Sequence, residues 1–200
     1  MRIGLVGGSF NPIHRGHLAI ARSAREALHL DRVILIPSAR PPHKKNLDLA
    51  PAADRLAMAR LAAGPGIEVS SIELDRQGPS YTVDTLRAFH AQEPDAELTF
   101  IIGADSVPEL VTWRDAKTLV GLARFAVAAR PGHDLDREVT ASEQALGAKF
   151  TLVPIEPDPV SATDIRERVR AGRSIDGLVP DAVRDYIRAH HLYSAKATTS

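Results

Sequence analysis

Gly7-Gly8-Ser9-Phe10-Asn11-Pro12-Ile13-His14-Arg15-Gly16-His17-Leu18 decides the reading of this chain. A short apolar run, residues 3–6, leads into it, and a helical pattern leaves it, with Leu18, Ala21, Ala24 and Leu28 on one stripe. That is a strand, a glycine-rich turn and a helix start. Glycine lets a backbone turn sharply and approach a ligand closely. A helix N-terminus presents unpaired N–H groups and the positive end of a dipole, so it favours phosphate. His14 and His17 are three apart and share a face in the first turn. The dipole disfavours a protonated ring there, whereas a polyphosphate favours one, and imidazoles can donate to phosphate oxygens around neutral pH. A Gly-Gly after a strand is often only a tight turn, and one His near a helix start is usually a surface residue. Two His around a Gly, after Gly-Gly-x-Phe-x-Pro, are much harder to obtain by chance. A zinc site is the rival reading. It is disfavoured because no carboxylate lies close in sequence and the chain has no Cys.

Outward from this loop, apolar runs alternate with helical patterns. Residues 3–6, 33–36, 67–72, 98–102, 125–129 and 150–153 read as strands, most of them continuously apolar, as in a parallel sheet buried on both faces. Helices read over 54–61, 83–90, 116–122, 134–146, 161–171 and 181–190, besides the one after the glycine loop. The alternation predicts an α/β fold, a doubly wound, mainly parallel sheet with C-terminal helices. The 200 residues, 44% of them hydrophobic, can bury a sizeable core. Residues 1–193 are expected to be one domain and 194–200 a frayed tail. Lys plus Arg and Asp plus Glu are both 25. A balanced charge gives no global steering toward nucleic acid or an anionic membrane, so any anion site must be local. Absence of Cys suits a cytoplasmic location, and the first apolar run is too short for a signal core or a membrane span.

The glycine loop resembles the signature of the nucleotidyltransferase superfamily that carries a His-x-Gly-His loop and a Rossmann-like fold. A second segment supports it. Val160-Ser161-Ala162-Thr163-Asp164-Ile165-Arg166 begins the penultimate helix. Its plain reading is a helix cap by Ser161. It also resembles the superfamily's Ile-Ser-Ser-Thr-x-Ile-Arg element, with Ala162 in place of one hydroxyl. Three more segments resemble nicotinate mononucleotide adenylyltransferases: Pro41-Pro42-His43-Lys44, Ser80-Tyr81-Thr82, and the run from Gly103-Ala104-Asp105-Ser106 to Trp113. Arg130-Pro131-Gly132 resembles a turn of the same family. The loops after the first and fourth strands should meet at the switch point of the sheet.

The resemblance implies transfer of the adenylyl group of ATP to nicotinate mononucleotide, with Mg²⁺ carried by the ATP phosphates and no metal site of the chain's own. It implies His14, His17 and Lys44 as catalytic residues. ATP would meet Gly8, Ser9, Phe10, His14, His17, Gly103, Asp105, Arg130, Ser161, Thr163 and Arg166. The acceptor would meet Lys44, Tyr81, Thr82, Asp105 and Trp113. The partners are then small molecules, and the oligomeric state stays open, a homo-oligomer included. Pantetheine-phosphate adenylyl transfer and a non-catalytic ATP-binding sensor are the alternatives.

Overall fold

In the computed structural model, residues 1–40, 49–129, 135–156 and 158–194 are described, the side chain of residue 136 excepted. Six strands form one sheet: β1 (Arg2–Gly8), β2 (Arg32–Pro37), β3 (Ile67–Val69), β4 (Glu97–Gly103), β5 (Arg124–Ala129) and β6 (Phe150–Pro154). All pairings are parallel, in the order β3-β2-β1-β4-β5-β6. The seven helices are α1 (Arg15–Ala27), α2 (Ala52–Ala62), α3 (Thr82–Gln92), α4 (Ala116–Leu122), α5 (Asp136–Leu146), α6 (Ala162–Arg170) and α7 (Asp181–Ala189), with two 3₁₀ turns after β4.

The middles of the four central strands are apolar on both sides because each face meets helices. Ile3, Leu5, Ile34, Ile36, Phe100, Ile102, Phe125 and Val127 point to one side, where Leu86 of α3, Leu119 of α4 and Val139 of α5 cover them. Val6, Val33, Leu35, Ile101, Ala126 and Val153 point to the other, against Leu18 of α1, Met58 of α2, Ile165 of α6 and Val183 of α7. This is the doubly wound arrangement expected for alternating strands and helices. The order reverses between β1 and β4, so the chain leaves Gly8 and Gly103 on opposite faces at one crevice, the place where such sheets bind ligands.

One strand is shorter than its pattern. The apolar run 67–72 predicts six residues, but β3 ends at Val69. Ser71 starts a turn instead: its carbonyl accepts the N–H groups of Leu74 and Asp75, and its hydroxyl donates to Asp75 at 2.8 Å. At the sheet edge, this local hydrogen bonding wins over continued pairing.

Candidate active site at the sheet switch point

Gly7 and Gly8 are the last residues of β1, neither with a positive φ, and the turn is made beyond them. Phe10 sits at φ 45°, in the left-handed region, and its ring folds back over Gly8. A Cβ on Gly8 would lie 3.1 Å from that ring. The Phe10 ring is buried and meets His17 edge-on at 5.1 Å between centroids. Phe10 therefore offers a ligand its backbone, not its ring. A non-glycine residue with positive φ costs about 1–3 kcal/mol, which the packing of Phe10 must offset.

His14 is the N-cap of α1, and its N–H donates to His17 Nδ1 at 3.2 Å. With Nδ1 accepting, the neutral His17 ring carries its proton on Nε2. The two imidazoles lie 3.7 Å apart at 31°. His14 is buried, and among the described residues its Nδ1 has no hydrogen-bond partner. Burial lowers its pKa to about 4; Asp158 pulls the other way and Arg15 adds to the lowering. Gly16 makes the close packing possible, since a Cβ there would stand 3.2 Å from the His14 ring and 3.3 Å from Val160.

The second segment docks directly on this loop. Arg166 Nη1 donates to the carbonyl of Asn11 at 2.8 Å and Nη2 to Thr163 Oγ1 at 3.3 Å, while Nε is buried without a partner among the described residues. Ser161 caps α6, accepting the N–H of Asp164 at 3.1 Å. The plain reading of Ser161 thus holds, and its hydroxyl hydrogen remains available to a ligand. Arg15 fastens the two segments from outside, donating to Asp158 at 2.8 Å and to the Gly177 carbonyl at 2.8 Å. Burial opposes ionisation of Asp158, but the Val160 N–H and Arg15 together hold its carboxyl below the usual range.

Across the crevice, exposed Asp105 follows β4 directly. Tyr81 precedes α3 as its N-cap; among the described residues no side chain caps the helix, the Asp84 and Thr85 N–H groups donate to the Tyr81 carbonyl, and those of Thr82 and Val83 have no acceptor within the helix. Arg114 lies over the Tyr81 ring at 4.6 Å, which ties the α3 start to the Trp113 segment. Trp113 is half-buried, edge-on to Phe100 at 6.3 Å, with Nε1 buried and without a partner among the described residues. Ser80 does not face a ligand with its lone pairs, because its Oγ accepts the N–H groups of Ala39 and Arg40 at 3.0 and 3.2 Å. Lys44 and Arg130 lie outside the described residues.

Two further residues hold the site together. Asn11 Oδ1 is buried and accepts both the Ala50 N–H at 3.0 Å and the Tyr193 hydroxyl at 2.9 Å. Arg55 is buried beneath the loop. Its signal was present: it shares a helical stripe with Met58, Ala59 and Ala62, all buried. A charged residue on an apolar stripe marks a buried contact.

Sheet order and switch point define a doubly wound Rossmann-type fold, with two sequence-distant segments packed together at the crevice. The sequence model of the cytidylyltransferase-like family matches residues 5–168. A relative from Roseiflexus sp. is 47% identical over 96% of this chain and 97% of its own length. One from Thermus thermophilus is 46% identical over 96% and 100%. One from Corynebacterium kroppenstedtii is 43% identical over 96% and 90%. Each is named a probable nicotinate-nucleotide adenylyltransferase. The Plasmodium falciparum nicotinic acid mononucleotide adenylyltransferase, solved with NaAD, shares the fold at a TM-score of 0.76 and 19% identity, covering 96% of this chain and 97% of that one. The chain belongs to the cytidylyltransferase-like family and, within it, to the nicotinate-nucleotide adenylyltransferases.

Proposed function

We infer that the protein transfers the adenylyl group of ATP to nicotinate mononucleotide, releasing pyrophosphate and forming nicotinate adenine dinucleotide. The observation that carries this is the docking of Arg166 on the His14–His17 loop at the switch point, opposite an uncapped α3. The first gathers imidazole and guanidinium donors for a polyphosphate. The second offers N–H donors to a smaller anion.

The mononucleotide 5′-phosphate attacks the α-phosphorus of ATP, and pyrophosphate leaves in line. The nucleophile is already an anion at neutral pH, so the residues position and neutralise rather than remove a proton. Gly8 and Ser9 bring backbone close to the phosphates, with Phe10 setting the loop's shape. His17 donates through Nε2–H at the α-phosphate, joined there by Lys44. His14, Ser161, Thr163 and Arg166 hold the leaving pyrophosphate. His14 is neutral before ATP arrives, and the phosphate charge draws a proton onto it. Gly103 and Asp105 face a ribose, and Arg130 the adenine side. Thr82 and Tyr81 receive the nicotinate carboxylate while Trp113 stacks on the pyridine ring. This imidazole, hydroxyl and guanidinium set suits phosphate oxygens, and magnesium enters on those oxygens as part of the substrate, where it spreads their charge. No cluster of three or more metal-binding side chains stands among the described residues.

Residues 1–193 act as one catalytic domain, a boundary supported by the buried Tyr193 bonded to the loop. No helix among the described residues is long and apolar enough to cross a membrane. A cytoplasmic location agrees with the cysteine-free composition. The test is pyrophosphate release from ATP with nicotinate mononucleotide, nicotinamide mononucleotide and phosphopantetheine. A clear preference for the first is expected. Preference for phosphopantetheine, or release with none of them, would overturn the reading.

A further inference from the structure

Arg55 is 1% exposed, yet among the described residues no carboxylate pairs with it. Its donors go to carbonyls: Nε to Ala50 at 3.0 Å, Nη1 to Ser9 and to Ser38 at 2.7 Å each, Nη2 to Ala39 at 3.4 Å. An unpaired buried guanidinium costs several kcal/mol in desolvation, so these four dipoles must be well placed to keep it. Burial accordingly lowers its pKa. Ser9 belongs to the loop after β1, and Ser38 and Ala39 to the segment that leaves β2 toward residues 41–48.

The same segment is held from its other side. Ser38 N–H donates to the Gly8 carbonyl at 2.9 Å. Ala39 and Arg40 donate to Ser80 Oγ, and Ser80 N–H returns a bond to the Arg40 carbonyl at 3.1 Å. Beside Ser80 stands Glu73, a buried carboxyl whose pKa burial pushes up and the Thr85 and Ser80 hydroxyls pull back; it accepts from Thr85 Oγ1 at 2.7 Å. Thr85 lies in the first turn of α3. Hydrogen bonds thus run from the phosphate loop through Arg55 and residues 38–40 to Ser80, which lies next to the α3 N-cap Tyr81 and beside the Glu73–Thr85 pair at the start of α3.

We propose that Arg55 is a positioning residue that clamps the loops after β1 and β2 into one register and, through Ser80 and Glu73, sets the distance between the ATP phosphates and the acceptor at α3. The clamp rests on the adenylyl-transfer reading for its catalytic consequence but not for its existence. Lysine cannot reproduce a planar fork that reaches three segments at once. Misplacement of reacting groups by about 1 Å can cost about 10²-fold in rate.

The experiment compares the parent with Arg55→Lys, Arg55→Met, Ser80→Ala, Glu73→Gln and the Arg55→Lys/Ser80→Ala pair. Folding is checked by circular dichroism, kcat/KM is measured for ATP and for nicotinate mononucleotide, and hydrogen exchange is read at the Ala39 and Arg40 amides. The clamp predicts that folded Arg55→Lys loses up to about 10²-fold in kcat/KM for both substrates. It also predicts faster exchange at those amides and a double variant little worse than the worse single one, because both changes release the same segment. A folded Arg55→Lys with parent kcat/KM overturns the proposal, as do fully multiplicative losses in the double variant. If neither Arg55 variant folds, Ser80→Ala and Glu73→Gln decide: exchange accelerated at Ala39 and Arg40 with parent kcat/KM overturns it. A parent inert toward nicotinate mononucleotide would instead sink the reaction assignment. The clamp would then stand or fall on the exchange data and ATP affinity of the same variants.

Discussion

Acidification should unload stability through His14. The ring is buried at the start of α1, and burial, opposed by Asp158 and aided by Arg15, takes its pKa from 6.5 to about 4. In the unfolded chain the same imidazole is protonated near its ordinary value. Between these two values the unfolded state therefore binds more protons than the native state. The stability associated with neutral His14 is complete above pH 6.5 and is lost as pH falls toward 4. At about 1.4 kcal/mol per pH unit, the full window is worth up to about 3 kcal/mol. Urea unfolding of the parent and His14→Gln, from pH 7.5 to 4.5, isolates this contribution, since the variant does not titrate there. Acidic groups such as Asp158 stay largely ionised over that range and are common to both proteins. The parent-minus-variant difference should shrink steadily below pH 6.5. A difference that is constant from pH 7 to 4.5 would refute the burial argument. ATP should oppose the effect, and its binding near pH 5.5 should take up protons, measurable by calorimetry in buffers of different ionisation enthalpy.

Three other perturbations follow from the same contacts. Gly16→Ala places a Cβ 3.2 Å from the His14 ring and 3.3 Å from Val160, so it should lower kcat/KM and destabilise by about 1–3 kcal/mol; a parent-like melting temperature and rate would show that the ring yields freely. Tyr193→Phe removes one of two donors to Asn11 Oδ1 and should cost about 1 kcal/mol, with KM for ATP rising because the Asn11 carbonyl orients Arg166; an unchanged KM would separate the C-terminal turn from the phosphate site. Trp113→Ala should weaken nicotinate and nicotinamide mononucleotides alike, as both rings are flat, and leave ATP untouched; selective loss of one acceptor would contradict a stacking role.

Much of this architecture was legible in the residues because strand and helix periods are local properties. The seven helices and six strands among the described residues fall where apolar runs and stripes place them, with β3 ending three residues early; the alternation gives the doubly wound class. The docking of Arg166 on Asn11 was legible only as two separated motifs, since the two residues are 155 positions apart. Three features escaped for physical reasons. Ser80 reads as a cap or a ligand donor, whereas its oxygen is taken by the backbone of another loop, a contact with no sequence period. Tyr193 sits beside a tail that reads as frayed, and only the three-dimensional path shows that it closes on Asn11. Arg55 is one charge within a helical stretch, and only its stripe with the apolar Met58 and Ala62 sets it apart. The end of β3 failed differently, because a serine-led turn at the sheet edge outcompeted an apolar run.

The central claim is that this site moves an adenylyl group onto a pyridine mononucleotide by holding phosphates on the His14–His17 loop. It is tested most directly by mixing enzyme with ATP labelled at the α-phosphorus and nicotinate mononucleotide, and following the label in the parent and in His17→Ala. The label should pass into nicotinate adenine dinucleotide with one pyrophosphate released per product. Loss of one preorganised donor at the α-phosphate should slow that transfer by about 10²–10³-fold in the folded variant. Label that accumulates as free AMP, or a His17→Ala enzyme that makes the dinucleotide at the parent rate, would contradict the account.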